Sequence, residues 1–487
     1  MLKTIFKNLS IYAIVPIVTG IVSFLLLPIK SRYLLPLDYG IIGLLTTVGG
    51  IITVFSTLQL NSGFMRIYHD LKSKKQKREY TTSLFIFTIF LGIIAVFLIG
   101  CLLFFFSHII FPSKVISFFP YIAVQLIIVY LIQFNLIPDS LMVTEQKAKL
   151  RSTNRLLNFI ISTCCSLYFI VYLNLKAEGI LYGICLGHLF SSIFYLVFIS
   201  KYLNFSLSLK SIVYIKKTIK YSVPFISACL CAYLYTYSDK YILSIMLNLH
   251  DVGIYTFAQN LILPLSFVLG ALDASFLPEY YKSKKKNINN DILKRTNEVL
   301  FVALGALVVF WTGFIKTIYF LIDSSYLQSF SIVWFLILFW FFRYLYIFPT
   351  AIILFYKKTR YIPFLHFVPA VVNIGFNIVL IKYLGIYGAL ISTIICAIIT
   401  LILSHYFAYK LDKKSFDYKY LAGFCCIIVI FVFFMHYLQY SKFLYNLLVK
   451  MCLFGLYLLV SIKYYALDFK RYINKIMFFL KIAKYKI

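Results

Sequence analysis

The 487 residues are 62% hydrophobic and only 13% charged, a balance that excludes a soluble globular protein with a mixed charged surface. Lysine and arginine outnumber aspartate and glutamate by 47 to 16, but the basic residues lie in short loops between apolar runs, which argues against a nucleic-acid partner. The ten cysteines lie inside apolar stretches and the seven histidines are scattered, so we predict neither a disulfide, a metal site nor a cofactor.

Apolar segments long enough to cross a membrane as helices recur along the whole chain. They predict an all-α polytopic membrane protein with about fourteen spans. The predicted spans cover residues 10–34, 40–66, 81–107, 118–142, 154–174, 177–202, 217–249, 252–281, 299–322, 326–353, 361–383, 385–410, 417–439 and 443–467.

Charge in the loops predicts the orientation of these spans. Lysine and arginine concentrate at the N-terminus, in alternate loops and in the C-terminal tail, and the opposite loops hold only Lys114, Lys176, Lys382 and Lys442. By the positive-inside rule, both termini are expected in the cytoplasm. The N-terminal segment has no cleavable signal pattern and is kept as the first span, and the basic, amphipathic tail is expected on the inner membrane lipids.

An internal repeat relates the two halves of the chain. "RYLLPLDYGII" from Arg32 resembles "KYILSIMLNLHDVGIY" from Lys240, and each contains Asp-x-Gly-Ile at the start of the next span. Farther on, "EGILYG" at 178–183 resembles "LGIYG" at 384–388. The repeat predicts two parallel six-helix lobes, residues 1–205 and 206–412, around a central cavity, with spans 13 and 14 and the tail in 413–487.

Polar residues inside the spans are the candidates for function, because burying them in lipid is costly. Span 7 has a stripe on one helical face, formed by Tyr233, Tyr237, Lys240, Ser244 and Asn248. We expect the stripe to line a polar cavity in which Lys240 and its repeat equivalent Arg32 bind an anionic substrate. Two simpler interpretations stay open: Asp239 neutralises Lys240, and Lys30 and Arg32 reach outward to the lipid headgroups.

Further candidates have weaker support from the pattern. Arg66 and Arg343 are cations within or at the ends of spans, and Asn373 and Asn377 lie one turn apart, where they line the cavity or hydrogen-bond between helices. Asp239 and Asp273 are candidates for coupling to an ion, a proton or sodium. Gly179, Gly183 and Gly187 form a small-xxx-small pattern that predicts close helix packing. No glycine-rich phosphate loop stands next to a Lys-Ser/Thr pair, which argues against ATP-driven transport by this chain alone. No long extracytoplasmic loop could house catalytic carboxylates, which disfavours a polymerase, ligase or glycosyltransferase.

These motifs resemble the polysaccharide exporters and O-antigen flippases (Wzx type) of the multidrug/oligosaccharidyl-lipid/polysaccharide (MOP) superfamily. The resemblance rests on "LLLPIKSRYLLPLDYGIIGLLTT", "GFMRIY" and "YSVPF...YSDKYILSIMLNLHDVGIYTFAQ...FLPEYY" in this order. It implies a two-lobed, alternating-access carrier in the bacterial cytoplasmic (inner) membrane, driven by an ion gradient. Its implied substrate is an undecaprenyl-pyrophosphate-linked oligosaccharide for O antigen, lipopolysaccharide or another polymer, with polysaccharide polymerase machinery as a further partner.

The same resemblance implies that Arg32 and Lys240 engage the pyrophosphate. Two other functions remain open on the sequence. One is a cation-coupled multidrug-type exporter of small molecules, which shares the two-lobed architecture. The other is a non-transporting membrane scaffold of a polysaccharide synthase, in which the charges within the spans are structural.

Overall fold

The computed structural model describes residues 15–111, 115–203, 210–285, 290–412, 418–438 and 443–465. These residues form helices and connecting turns and contain no β-strand. The helices are α1 (Val15–Leu25), α2 (Leu27–Tyr33), α3 (Pro36–Ser56), α4 (Leu60–Asp70), α5 (Lys74–Ile110), α6 (Ala123–Phe134), α7 (Leu136–Thr144), α8 (Ala148–Val171), α9 (Lys176–Ser200), α10 (Lys210–Met246), α11 (Leu249–Leu261), α12 (Leu263–Lys285), α13 (Asn290–Ile318), α14 (Ser329–Leu345), α15 (Ile347–Phe355), α16 (Ile362–Leu384), α17 (Ile386–Leu411), α18 (Tyr418–Tyr437) and α19 (Phe443–Tyr464).

The helices confirm an all-α membrane protein and fall on the fourteen predicted segments. Within the described residues, ten helical stretches are long and apolar enough to cross a membrane, and the bent pairs α1–α2 and α11–α12 raise this number to twelve. The two predicted spans that this number leaves out correspond to α10 and α18. Polar side chains lower the hydropathy of α10, and the apolar part of α18 is short, at Leu421–Tyr437. Both chain ends lie outside the described residues, as does most of the basic tail.

The two halves bend at corresponding places. The break between α6 and α7 falls at Asn135 and the break between α14 and α15 at Tyr346, each three residues before a proline. Beside these breaks, Gln133 Nε2 donates to the Ser56 carbonyl at 2.9 Å, and the Tyr344 hydroxyl donates to the Ser266 carbonyl at 3.1 Å. In each half, a polar side chain next to the break thus donates to a backbone carbonyl of another helix. The lobe boundaries at 205 and 412 stay predictions.

The glycines of α9 allow a close contact with α8. A methyl group added to Gly183 would lie 2.1 Å from Ser166 Oγ, and one added to Gly187 would lie 1.9 Å from Ser162 Oγ. Both distances are far below van der Waals contact. The small-xxx-small pattern therefore marks a helix-packing surface, as predicted.

The repeated Asp-x-Gly motif brings the starts of α3 and α11 into contact. A methyl group on Gly40 would lie 1.9 Å from the Leu249 carbonyl oxygen, and one on Gly253 would lie 1.7 Å from the Pro36 carbonyl oxygen. Each glycine, lacking a side chain, thus leaves room for the first turn of the opposite helix. Asp38 caps its own helix start, because its carboxylate accepts from the Leu35 backbone N–H at 2.8 Å.

A second contact between the halves lies at the other end of the bundle, which the charge pattern predicts to be cytoplasmic. The Gly63 backbone N–H donates to Ser222 Oγ at 3.1 Å, and the Tyr80 hydroxyl is 2.9 Å from Thr218 Oγ1. Ser222 and Thr218 belong to the first half of α10, and both are fully buried. The two halves therefore touch at both ends of the bundle.

We predict that Gly253→Ala lowers the melting temperature of the purified protein by several degrees. The methyl group forces α3 and α11 apart, and overpacking of this kind typically costs about 1–3 kcal/mol. Gly375→Ala is the matched control, because no atom lies within 4 Å of its added methyl group. The control should melt at or slightly above the wild-type temperature, since alanine favours helix. Equal melting of Gly253→Ala and wild type would contradict the close contact.

Candidate functional site between and within the lobes

Helix α10 presents polar side chains on two faces, and the first face meets α3. The Tyr233 hydroxyl donates to the Thr46 and Thr47 carbonyls of α3 at 3.1 and 3.2 Å. The Tyr237 ring lies 4.6 Å from the Tyr233 ring, and Lys240 Nζ lies 5.8 Å from the Tyr237 ring centroid. Tyr233, Tyr237 and Lys240 are spaced four and three residues apart and therefore lie on one face of α10. Each contacts the next, beginning at the hydrogen bonds of Tyr233 to α3.

Lys240 lies in this interface without an ion pair to any described residue. Its side chain is 6% exposed, so its charge is largely withdrawn from water. Its neighbour Asp239 projects about 100° farther around α10 and is hydrogen-bonded by Tyr255, Asn377 and Thr393. The two side chains are therefore not a local ion pair. Farther along, Asn248 lies beyond the end of α10 and caps α11, so that part of the predicted stripe is wrong.

The second polar face of α10 is buried in the C-terminal half and contains Asp239. Its side chain is 1% exposed. One carboxylate oxygen accepts from Asn377 Nδ2 at 2.7 Å, and the other accepts from the Tyr255 hydroxyl at 2.7 Å and Thr393 Oγ1 at 2.8 Å. A buried carboxylate is tolerated only when such donors replace water.

The amides of Asn373 and Asn377 extend this cluster through α16. Asn373 Oδ1 accepts from Ser238 Oγ at 2.9 Å and from Asn377 Nδ2 at 3.0 Å, and Asn373 Nδ2 donates to Ser392 Oγ at 3.3 Å. Asn377 Oδ1 is buried and has no hydrogen-bond partner. Both asparagines are fully buried, so their contacts join α10, α16 and α17.

The end of the first span is tied to the C-terminal half. Ser31 is buried, and its Oγ accepts from the Asp323 backbone N–H at 3.2 Å, while the Leu34 carbonyl accepts from the Tyr326 hydroxyl at 2.7 Å. On either side of Ser31, Lys30 is half-buried and Arg32 is exposed. Asp323 lies outside the spans, and hydrogen bonds from Ser325 hold the pKa of its carboxyl below the usual value.

The remaining predicted residues lie apart from Lys240. Arg66 forms an exposed ion pair with Asp70 at 3.0 Å on α4. Arg343 on α14 lies over aromatic rings inside the C-terminal half. The side chain of Asp273 lies outside the part of the chain that the structure describes. The structure thus brings Asp239, Asn373 and Asn377 together and leaves Arg66 outside this group.

Two partners of Asp239, Tyr255 and Thr393, are missing from the sequence prediction. Tyr255 directly follows the Asp-x-Gly-Ile motif and could have been predicted from that pattern, whereas no motif near Thr393 indicates its role.

A second polar cluster, around Asp139, was also not predicted from the sequence. Asp139 accepts two hydrogen bonds from Arg151, both at 2.8 Å, and one from the Tyr195 hydroxyl at 2.7 Å. It links α7, α8 and α9 within the N-terminal half.

Adjacent residues of α10 thus carry a buried ammonium and a buried carboxylate: Lys240 lies on the face that includes Tyr233, and Asp239 lies on the face packed against α16 and α17.

Solved structures of known proteins share this fold. The lipid II flippase MurJ in its inward closed conformation is 17% identical, with a TM-score of 0.70, and the match covers 93% of this chain and 98% of that chain. A multidrug resistance MATE family transporter of the MOP superfamily is 16% identical in its inward-facing conformation, with a TM-score of 0.63 and coverage of 83% and 100%. A multidrug resistance MATE family transporter of the MOP superfamily in its outward-facing conformation has a TM-score of 0.57 at 17% identity, and the match covers 83% of this chain and 95% of that chain.

Comparison of sequences shows the family. No curated protein matches the sequence at a significant level. The family model described as polysaccharide biosynthesis protein matches residues 5–279, more than half of the chain. The chain therefore belongs to the polysaccharide biosynthesis protein family, and it has the fold of the MOP superfamily transporters.

Proposed function

We propose that the protein is a flippase for an undecaprenyl-pyrophosphate-linked oligosaccharide, the repeat unit of O antigen or another surface polysaccharide. It carries this lipid from the cytoplasmic to the outer leaflet of the bacterial inner membrane, with both termini in the cytoplasm, and hands it to the polysaccharide polymerase machinery. Membership in the polysaccharide biosynthesis family supports the substrate class, and the shared fold with a lipid II flippase supports movement of a lipid-linked substrate.

Lys240 is the feature that carries this proposal. It is a buried cation on the face of α10 from which Tyr233 contacts α3, and it has no ion pair to a described residue. A diphosphate brings the negative charge that such a cation lacks, and hydrogen bonds between charged groups are strong in a site withdrawn from water. Arg32 is exposed at the end of the first span and offers a planar, bidentate donor for a phosphate.

Coupling to an ion gradient is proposed for Asp239. Its carboxylate has no cation among the described residues within ion-pair distance, and the unpaired Asn377 Oδ1 lies on the residue that donates to it. A proton or a sodium ion would neutralise this cluster. Neutralisation weakens the attraction of the carboxylate for the Tyr255, Thr393 and Asn377 donors and so loosens α10 from α11, α16 and α17.

A multidrug-type exporter is the second candidate function. It is favoured by the shared fold with MATE transporters and by the buried carboxylate of Asp239 in the C-terminal half of this chain. It differs in substrate: an exporter of cationic or apolar drugs does not require Lys240. Drug susceptibility of the variants below separates the two functions.

Lys240→Ala is expected to lower surface polysaccharide at least about tenfold in cells that depend on this protein, since losing a charged hydrogen bond to phosphate costs roughly 1.5–3 kcal/mol. Lys240→Arg should keep most of the activity. The control is Lys382→Ala, an exposed lysine at the end of α16. Expression in the membrane is measured in parallel. Normal polysaccharide in Lys240→Ala would refute recognition by this charge, and drug sensitivity with normal polysaccharide would favour the exporter.

Arg32→Ala tests the predicted equivalence of the two cations. If both cations contact the diphosphate, Arg32→Ala should reduce surface polysaccharide about tenfold. The double variant should make no more surface polysaccharide than the less active of the two single variants. Arg66→Ala is the matched control, because its guanidinium pairs with Asp70 on the surface of α4. If Arg32→Ala behaves like this control, Arg32 contacts headgroups rather than substrate.

Asp239→Asn is expected to abolish ion-driven transport while the protein still folds. An added ion should raise the melting temperature of wild type and leave that of Asp239→Asn unchanged, because the carboxylate is the charge that binds it. Comparing sodium with potassium at constant pH, and then different pH values in potassium, distinguishes sodium from a proton. Asp323→Asn, at an exposed aspartate, should respond like wild type. An equal response in all three proteins would contradict the coupling role.

A further inference from the structure

The turn between α13 and α14, residues 319–328, reaches from the C-terminal half to the end of the first span. Its Tyr326 hydroxyl donates to the Leu34 carbonyl at 2.7 Å, and its Asp323 backbone N–H donates to Ser31 Oγ at 3.2 Å. Tyr326, Leu34 and Ser31 are all buried. A short connecting turn thus joins the two halves here through directed hydrogen bonds.

Hydrogen bonds inside the turn fix its shape. Ser329 Oγ donates to the Tyr326 carbonyl at 2.7 Å and lies 2.6 Å from the Tyr319 hydroxyl. The Asp323 carboxylate accepts from the Ser325 backbone N–H at 2.9 Å and from the Ser325 hydroxyl at 2.7 Å. Because these partners belong to the turn or to the first residue of α14, we expect the turn to move with the C-terminal half as one unit.

The Tyr326 ring lies between helices of both halves. It stacks on Phe257 of α11 with the ring centroids 4.1 Å apart, and it meets Tyr39 of α3 edge-on at 5.7 Å. Tyr39 also meets Phe257 edge-on at 5.3 Å, so each of the three rings contacts the other two. All three are buried, and Tyr39 directly precedes Gly40, the residue at which α3 touches α11. Tyr326 therefore fills the space beside the glycine contact.

The hydroxyls of Tyr326 and Tyr39 differ in their hydrogen bonding. The Tyr326 hydroxyl bonds the carbonyl of Leu34, which has an extended backbone between α2 and α3. The Tyr39 hydroxyl is buried and has no hydrogen-bond partner among the described residues. A buried donor without a partner is unfavourable, and it gains water when the contact around it opens. One hydroxyl of the ring cluster thus stabilises the closed contact, and the other destabilises it.

Inward-facing and outward-facing conformations are both known for transporters with this fold. We propose that the α13–α14 turn is a latch on the end of the bundle that the charge pattern predicts to be outer. In the latched state, Tyr326 bonds Leu34 and lies against Tyr39. In the open state, it leaves with the C-terminal half, and water reaches the Leu34 carbonyl and the Tyr39 hydroxyl. The opposing effects of the two hydroxyls keep these states close in free energy.

Hydrogen–deuterium exchange of the purified, full-length protein tests the latch without a substrate. The reporters are peptides that contain the Asp323 amide or the start of α3, because opening of the latch exposes both to water. Tyr326→Phe keeps the ring and removes the bond to Leu34. Exchange in these peptides should become about 3- to 10-fold faster, the value of one hydrogen bond. Ser31→Ala removes the acceptor of the Asp323 N–H and should act in the same direction.

Tyr39→Phe is the matched variant with the opposite expected sign. Because the Tyr39 hydroxyl has no partner in the latched state, its loss should slow exchange in the same peptides by a similar factor. Tyr383→Phe, at a tyrosine that is 74% exposed at the end of α16, is the control and should exchange like wild type. Peptides around Gly63 report on the contact at the other end of the bundle. Their exchange should not become faster in Tyr326→Phe.

Three results would overturn the latch. The first is exchange in Tyr326→Phe that equals exchange in wild type. The second is faster exchange in both Tyr326→Phe and Tyr39→Phe, which would mean that each substitution only loosens the ring packing. The third is equally accelerated exchange at Gly63 in Tyr326→Phe, which would give the turn a general structural role. Because no substrate is used, the outcome is independent of whether the protein is a flippase or an exporter.

Discussion

The rest of the structure depends on the position of α10 between the two halves of the protein. Its first half packs against α4 and α5 through Ser222 and Thr218, and its second half packs on α3 through Tyr233. The opposite face is bound into the C-terminal half by the hydrogen bonds of Asp239. Any movement of the halves against each other must therefore act on this helix. The helix also carries two buried charges, the ammonium of Lys240 and the carboxylate of Asp239.

The contact between the starts of α3 and α11 is a second place where the two halves meet. Gly40 and Gly253 let two helix starts approach until the backbone of each touches the other, without a side chain between them. Such a contact is strong through close packing but has few hydrogen bonds across it. The polar contacts of α10 at the other end contain directed hydrogen bonds and are more specific.

The two halves share bends and backbone contacts but differ in their chemistry. Gln133 and Tyr344, beside corresponding breaks, each donate to a backbone carbonyl of another helix. In the first half, Ser31 accepts from the Asp323 N–H and attaches the end of the first span to the C-terminal half. The fully buried carboxylate of Asp239 belongs to the C-terminal half.

Much of the architecture was predictable from the sequence, because the membrane imposes its own rule: every span must be an apolar helix of sufficient length. The helical fold, the helix-packing role of the α9 glycines and the repeated Asp-x-Gly motif follow from such local patterns. The family was also predictable from motifs in order. Periodicity alone placed Tyr233, Tyr237 and Lys240 on one face, and the structure has them in contact.

Tertiary structure alone decided which buried groups meet. Asp239 and Lys240 are neighbours in sequence, yet the turn of the helix separates them, and Asp239 is bound by residues from three other helices. Tyr255 and Thr393 look like ordinary span residues until packing brings them to the carboxylate. Arg343 lies over Phe339 and Trp340 of its own helix, and packing adds the ring of Tyr235 from α10. Local patterns determine where a helix lies and which face is polar, but hydrogen-bond partners far apart in sequence are chosen by packing.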